Sequence, residues 1–130
     1  LILWLGQEDY DRLRPMSYSN ANVFLLCFSI ANRASLENVE DKWAKELRRY
    51  AAGVPILLVG TQCARRAAGI GDLVSAGEGR RVAKAIKAVG YVECSAVTRE
   101  GLKEVFFEAI KTAIMPRKKK SNSDTKCVLQ

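Results

Sequence analysis

Two unbroken apolar runs dominate the chain, Val23-Phe24-Leu25-Leu26-Cys27-Phe28 and Ile56-Leu57-Leu58-Val59. Neither alternates with polar residues, so neither fits a strand with one wet face. They predict strands buried on both sides, as in a parallel sheet covered by helices. Leu1-Ile2-Leu3-Trp4 and Tyr91-Val92-Glu93-Cys94 read as two shorter strands. Helical spacing fills the intervals. Leu36, Val39, Trp43, Leu47 and Tyr50 form one stripe, with Ser35 the expected N-cap, Trp43 a core anchor, and Glu37, Glu40, Asp41, Lys45 and Arg48 on the other face. Val82, Ala85, Ile86 and Val89 form a second stripe, with Gly90 expected just past the helix end. Leu102, Val105, Phe106, Ala109, Ile110, Ala113 and Ile114 make the strongest helix pattern, stopped by Pro116. Gly69, Gly71, Gly77 and Gly79 predict a loop between Thr61 and Val82. The order is β, loop or helix, β, α, β, α, β, α. Such alternation implies a three-layer α/β fold with a parallel sheet and right-handed crossovers. Ligands of such sheets bind at the carboxyl ends of the strands. The turns after Trp4, Val59 and Cys94 all open on that edge.

Composition narrows the chemistry. The 130 residues, 48% of them apolar, suffice for one folded domain. No apolar run approaches the ~20 residues of a membrane-spanning helix. No secretory signal opens the sequence, and Leu1 already lies in an apparent strand, so the chain is expected to be cut at its N-terminus. Cys27, Cys63, Cys94 and Cys127 lack metal-ligand spacing and histidine is absent. That argues for a reducing cytosol, against zinc, and against Ser-His or Cys-His nucleophiles. The net charge is +7, of which residues 115–130 carry +4: Arg117, Lys118, Lys119, Lys120 and Lys126 against Asp124. The basic character is therefore largely that of a tail, which argues against a nucleic-acid-binding face.

The stretch Gly6-Gln7-Glu8-Asp9-Tyr10-Asp11-Arg12-Leu13-Arg14-Pro15, with Ser17-Tyr18 behind it, closely resembles switch II of Rho/Rac-branch small GTPases of the Ras superfamily. Gly-Gln-Glu alone would be an ordinary polar loop; the full string is more specific, and the resemblance runs from Leu1 to Gln130. It implies the P-loop small GTPase fold, lacking the first two strands, the P-loop and switch I. By resemblance, Gly6 senses the γ-phosphate through its backbone and Gln7 is the catalytic residue that orients the attacking water. Thr61-Gln62-Cys63-Ala64 takes the place of the family's Thr/Asn-Lys-x-Asp, and Glu93-Cys94-Ser95-Ala96 matches its Glu-Cys-Ser-Ala. Thr61, Gln62, Ser95 and Ala96 are thus expected to be nucleotide-binding, with GTP/GDP and Mg²⁺ as cofactors.

The chain also departs from that pattern. The aspartate expected between Trp4 and Gly6 is missing, so no metal ligand is assigned. Ala64 replaces the aspartate that grips guanine; losing two hydrogen bonds to a charged group costs roughly 3–6 kcal/mol, about two to four decades in affinity. No Gly-x-x-x-x-Gly-Lys-Ser/Thr occurs in the sequence. The family's extra helical insert between Thr61 and Ser95 is expected to be mostly absent. The family's first strand lies between those at Leu1–Trp4 and Val23–Phe28, so its loss should leave that pair unsupported. Residues 22–114 would then form a four-stranded half-sheet, with residues 1–18 poorly anchored.

Cys127-Val128-Leu129-Gln130 fits a CaaX box, with Cys127 the prenylation site and the final Gln favouring farnesyl. One prenyl chain anchors marginally; Arg117, Lys118, Lys119 and Lys120 would add about 1 kcal/mol each on an anionic leaflet. The expected organisation is residues 1–114 as the C-terminal portion of a small GTPase domain and 115–130 as a flexible polybasic tail. The implied function is a Rho-type signalling switch that binds and hydrolyses GTP. It would sit at the cytoplasmic face of the plasma membrane with a cytosolic pool, partnered by Rho-type effectors and regulators and not by nucleic acid. As a fragment it is expected to be inactive alone. The alternative is a prenylated, non-catalytic pseudo-GTPase that binds proteins, favoured by Gln62, Ala64 and the damaged turn at Leu5, internal changes that a cut at the N-terminus would not explain.

Overall fold

The computed structural model describes residues 2–4, 16, 18 and 20–116. Four parallel strands form one sheet in the order β1 (Ile2–Trp4), β2 (Phe24–Ser29), β3 (Ile56–Thr61) and β4 (Gly90–Glu93). The helices are α1 (Arg33–Asn38), α2 (Ala44–Tyr50), α3 (Arg65–Ala68), α4 (Ala76–Ala85) and α5 (Leu102–Ile114), with a π-helical turn at Val39–Trp43 joining α1 to α2. The α/β parallel fold read from the sequence is the fold observed.

Alternate residues of the central strands feed two separate cores. Phe24, Leu26, Phe28, Ile56 and Leu58 pack under Leu36, Val39, Trp43, Leu47, Val82 and Ile86 of the α1–α2 and α4 layer. Val23, Leu25, Leu57 and Val59 pack under Val105 and Ala109 of α5. Burial on both faces is why these strands carry no polar alternation.

Several expectations need correction. β1 pairs directly with β2, in register Ile2–Phe24, Leu3–Leu25 and Trp4–Leu26, so the pair is not left unsupported. The backbone groups on that edge of β2 require partners, and a strand already running parallel supplies them. Residues 22–114 consequently hold three strands of the sheet, not four. Nor is Tyr18 loose: it is 1% exposed, donates to Glu46 Oε2 at 2.7 Å and meets the Phe24 ring edge-on at 5.2 Å. Asn32, not Ser35, caps α1, accepting from the Ser35 amide; the Ser35 hydroxyl bonds back to the Asn32 and Ser29 carbonyls. Gly77 and Gly79 lie inside α4, which starts with a capping box between Ser75 and Glu78. Gly79 is required because the Tyr91 ring occupies the space of a Cβ there, bringing α4 close to β4. Gly90 begins β4, while Ala85 and Val89, expected in the stripe, are exposed; Ala83 is buried instead.

Candidate functional site

The turns after β3 and β4 meet at the carboxyl edge. Thr61 closes β3, its hydroxyl donating to the Phe28 carbonyl at 2.9 Å. The Cys63 amide then donates to the Cys94 carbonyl at 3.1 Å, which ties the two turns together. Ser95 is 2% exposed; its amide donates to the Glu100 carbonyl, and its hydroxyl accepts from the Thr98 amide. Gln62 and Arg99 hold positive φ of 62° and 64°. Backbone strain at two non-glycine residues on one edge is common where a loop is shaped for a ligand.

These turns and α3 enclose a pocket of about 600 Å³, lined by Thr61, Gln62, Ala64, Arg65, Ala68, Cys94, Ser95, Ala96 and Val97. The structure therefore brings Thr61, Gln62, Ser95 and Ala96 to one cavity. Gly6, Gln7, Arg117, Lys118, Lys119, Lys120 and Cys127 lie outside the described residues.

The electrostatics of the pocket follow from its side chains. None of the lining residues is acidic and Arg65 is cationic, so the cavity suits an anionic or neutral ligand. At its mouth the Ser29 hydroxyl donates to Gln62 Oε1 at 2.7 Å and accepts from the Ala31 amide at 3.2 Å. A lysine in place of Gln62 could meet the Ser29 hydroxyl only as a donor, with the bond reversed. Ala64 sits at the N-cap of α3 and offers no side-chain oxygen to a base edge.

The far wall of the pocket, α3, is held by a residue that sequence reasoning missed. Arg66 Nη1 and Nη2 donate to the two carboxylate oxygens of Glu93, while Nε and Nη2 donate to the Val74 carbonyl at 3.1 and 2.7 Å. Tyr91 donates to the same carboxylate at 2.7 Å and stacks on Phe28. The guanidinium, and secondarily the tyrosine hydroxyl, hold the Glu93 carboxyl below the usual carboxylate range against a desolvation that would raise it. A second clasp joins Arg33 to Asp72 at 2.8 and 2.9 Å and to Glu78 at 2.6 Å, lowering the Glu78 pKa to about 2. The two clasps fasten the segment between α3 and α4. No local spacing announces either pair, since the partners lie 27 to 45 residues apart.

The fit to a nucleotide is one-sided. The cavity has the size of a small-molecule site and a neutral floor for a flat heterocycle. The described residues supply no phosphate cradle and no cluster of His, Cys, Asp or Glu able to hold a metal ion. The phosphate and Mg²⁺ half thus does not fit these residues. The topology agrees, because ligand crevices in open α/β sheets form where strand order reverses, and this order is monotonic among the described strands.

A Ras family profile matches residues 4–115. The chain is 46% identical over 129 residues, 98% of its length, to the Ras-like GTP-binding protein RhoL of Drosophila melanogaster, and covers 67% of that protein.

Proposed function

Because the chain belongs to the Ras family, we propose that it is a Rho-branch small GTPase, a nucleotide-dependent signalling switch, of which these 130 residues are the base-side portion. The observation that supports this most is the pair of tied turns around the 600 Å³ pocket at the carboxyl edge. In this reading, Thr61, Gln62, Ser95 and Ala96 hold the base, Gly6 and Gln7 face the γ-phosphate, and a phosphate cradle outside this sequence completes the site. The residues present here bind nucleotide weakly and do not hydrolyse it alone. Cys127 carries a prenyl group and Arg117–Lys120 hold the protein on an anionic leaflet, where it meets Rho-type regulators and effectors.

A second reading is favoured by Ala64 and by Gln62 being engaged with Ser29: a non-catalytic relative that binds proteins and not nucleotide. Titration with fluorescent GTP and ATP analogues, with and without Mg²⁺, decides between them. Guanine-selective, Mg²⁺-dependent binding in the micromolar range sinks the second reading. No binding, with no gain from Gln62→Lys plus Ala64→Asp, sinks the first. The double substitution restores two charge-assisted contacts and should raise guanine affinity by about two decades or more.

A further inference from the structure

We propose that the amino edge of the sheet, opposite the pocket, is a docking surface for an anionic phospholipid bilayer. The proposal extends the membrane reading of the tail to the folded body, and its test separates the two.

In a parallel sheet the returning helices bring their C-termini to one edge. Here that edge gathers Arg48–Tyr50 at the end of α2, Ile86–Lys87 past α4 and Ile114–Met115 at the end of α5. Two grooves flank the loop at residues 51–55 and share Ala52, Val54 and Pro55. One, about 460 Å³, runs between α2 and α4 with Arg48 and Lys87 among its lining residues. The other, about 490 Å³, runs beneath α5 past Val89, Lys111 and Met115. Both are apolar at the base and open to solvent.

Cations and exposed apolar groups are interleaved across this edge. Arg48, Arg49, Lys84, Lys87 and Lys111 are all exposed. The sole acidic residue lining either groove, Glu108, is already paired with Lys111. Tyr50, Val89, Ile114 and Met115 stand at least half exposed among them. Basic residues at helix C-termini are ordinarily explained by the helix dipole, and Arg48 does serve that purpose, donating to the Ile86 carbonyl at 2.6 Å. The dipole does not account for four large apolar side chains in water beside those cations. It does not account for Lys87 either, which holds a φ of 57° where glycine or asparagine sits at lower cost. An anionic bilayer answers both: apolar groups enter the headgroup boundary while cations remain at the phosphates. Pro116, the residue before the basic run, lines the same groove, so the tail begins on this surface. No described helix is long and apolar enough to cross the bilayer, so the contact is peripheral.

The test floats the full, unprenylated chain with vesicles of phosphatidylcholine alone or with 30% phosphatidylserine at about 0.1 M salt. The body variant combines Arg49→Gln, Lys87→Asn and Lys111→Gln, leaving Arg48 on its carbonyl and giving residue 87 a side chain that tolerates positive φ. At roughly fivefold per neutralised charge, it should partition up to about a hundredfold less onto the serine vesicles and unchanged onto phosphatidylcholine. Val89→Ser with Met115→Ser, both at exposed positions, should weaken binding severalfold with charge intact. Thermal melts check that each variant folds. A body variant that floats like the unmodified chain overturns the proposal. So does a chain with Arg117, Lys118, Lys119 and Lys120 all changed to Gln that no longer distinguishes the two vesicles. Equal binding to polyglutamate would point to an acidic protein and overturn it as well. Loss on changing the body, with no loss on changing the tail, would remove the tail reading and leave this one standing.

Discussion

Arg66→Ala should loosen the wall of the pocket and lower stability together. The arginine makes hydrogen bonds to both Glu93 oxygens and to the Val74 carbonyl. Removing a fully buried ion pair partner costs 3–5 kcal/mol. Here the side chains keep 32% and 20% of their exposure, so water screens part of the loss. About 2–3 kcal/mol is the reasonable size, which for a domain of this length lowers Tm by roughly 8–15 °C. The loss should depend on pH. The Glu93 pKa is lowered in the folded state, so the pair's contribution is complete above the unfolded carboxylate value near 4.3 and is lost as pH falls through the folded value. The melting difference between the two proteins should therefore be constant from about pH 6 to 8 and shrink below about 4. Arg66→Lys should recover less than half, because an ammonium cannot span both carboxylate oxygens and the Val74 carbonyl. Calorimetric melts across this pH range measure all three effects. A difference below about 0.5 kcal/mol at pH 7, or one that grows as the pH is lowered, refutes the reasoning.

Tyr18→Phe deletes the bond to Glu46 Oε2 while keeping the ring on Phe24; denaturant titration should show a loss of about 1–2 kcal/mol, whereas Tyr18→Ala should lose 3–5 kcal/mol. Gly79→Ala drives a methyl into the Tyr91 ring and should cost roughly 1–3 kcal/mol, relieved in large part by Tyr91→Leu in the same chain. Burial, with Cys94 second, pushes the Cys27 thiol up to about 12, and burial raises the Cys63 thiol as well; both are partly exposed, and thiol labelling at pH 8 should reach Cys63 before Cys27, an order that equal rates by mass spectrometry would contradict.

What was legible in the sequence was whatever depends on one element at a time. Val23–Phe28 and Ile56–Val59 announce their two-sided burial without reference to any partner. Trp43 announces its burial likewise; the α5 pattern announces a helix but not its buried face, since Val105 and Ala109 are buried while Phe106, Ile110 and Ile114 stand exposed. The capping box Ser75-x-x-Glu78 was also present and would have started α4 at Ala76, but the glycines around it drew the reading toward a loop. The rest depends on partners far away in sequence. That Gly79 belongs in a helix is decided by the Tyr91 ring, and that Ser35 is not the cap is decided by Asn32 accepting from the Ser35 amide while the Ser35 hydroxyl turns back to the Asn32 and Ser29 carbonyls. The pocket residues were legible only through family resemblance, since nothing in their spacing requires the Cys63–Cys94 tie. Arg66, Arg33 and Ser29 were invisible because each finds its partner across a crossover.

The direct pairing of β1 with β2 has a consequence for how the molecule assembles. Every described strand lies beside its predecessor in the sequence. The sheet can therefore grow by addition at one edge as the chain lengthens, and no strand has to be threaded between two that are already joined. Each pairing closes a single crossover loop, which keeps the entropy of closure small and the folding barrier low for a parallel sheet. A strand arriving later from another polypeptide would face the opposite situation. To reach the interior position beside β2 it would first have to displace the ladder from Ile2 to Trp4, so its insertion would be limited by the opening of that edge and not by encounter.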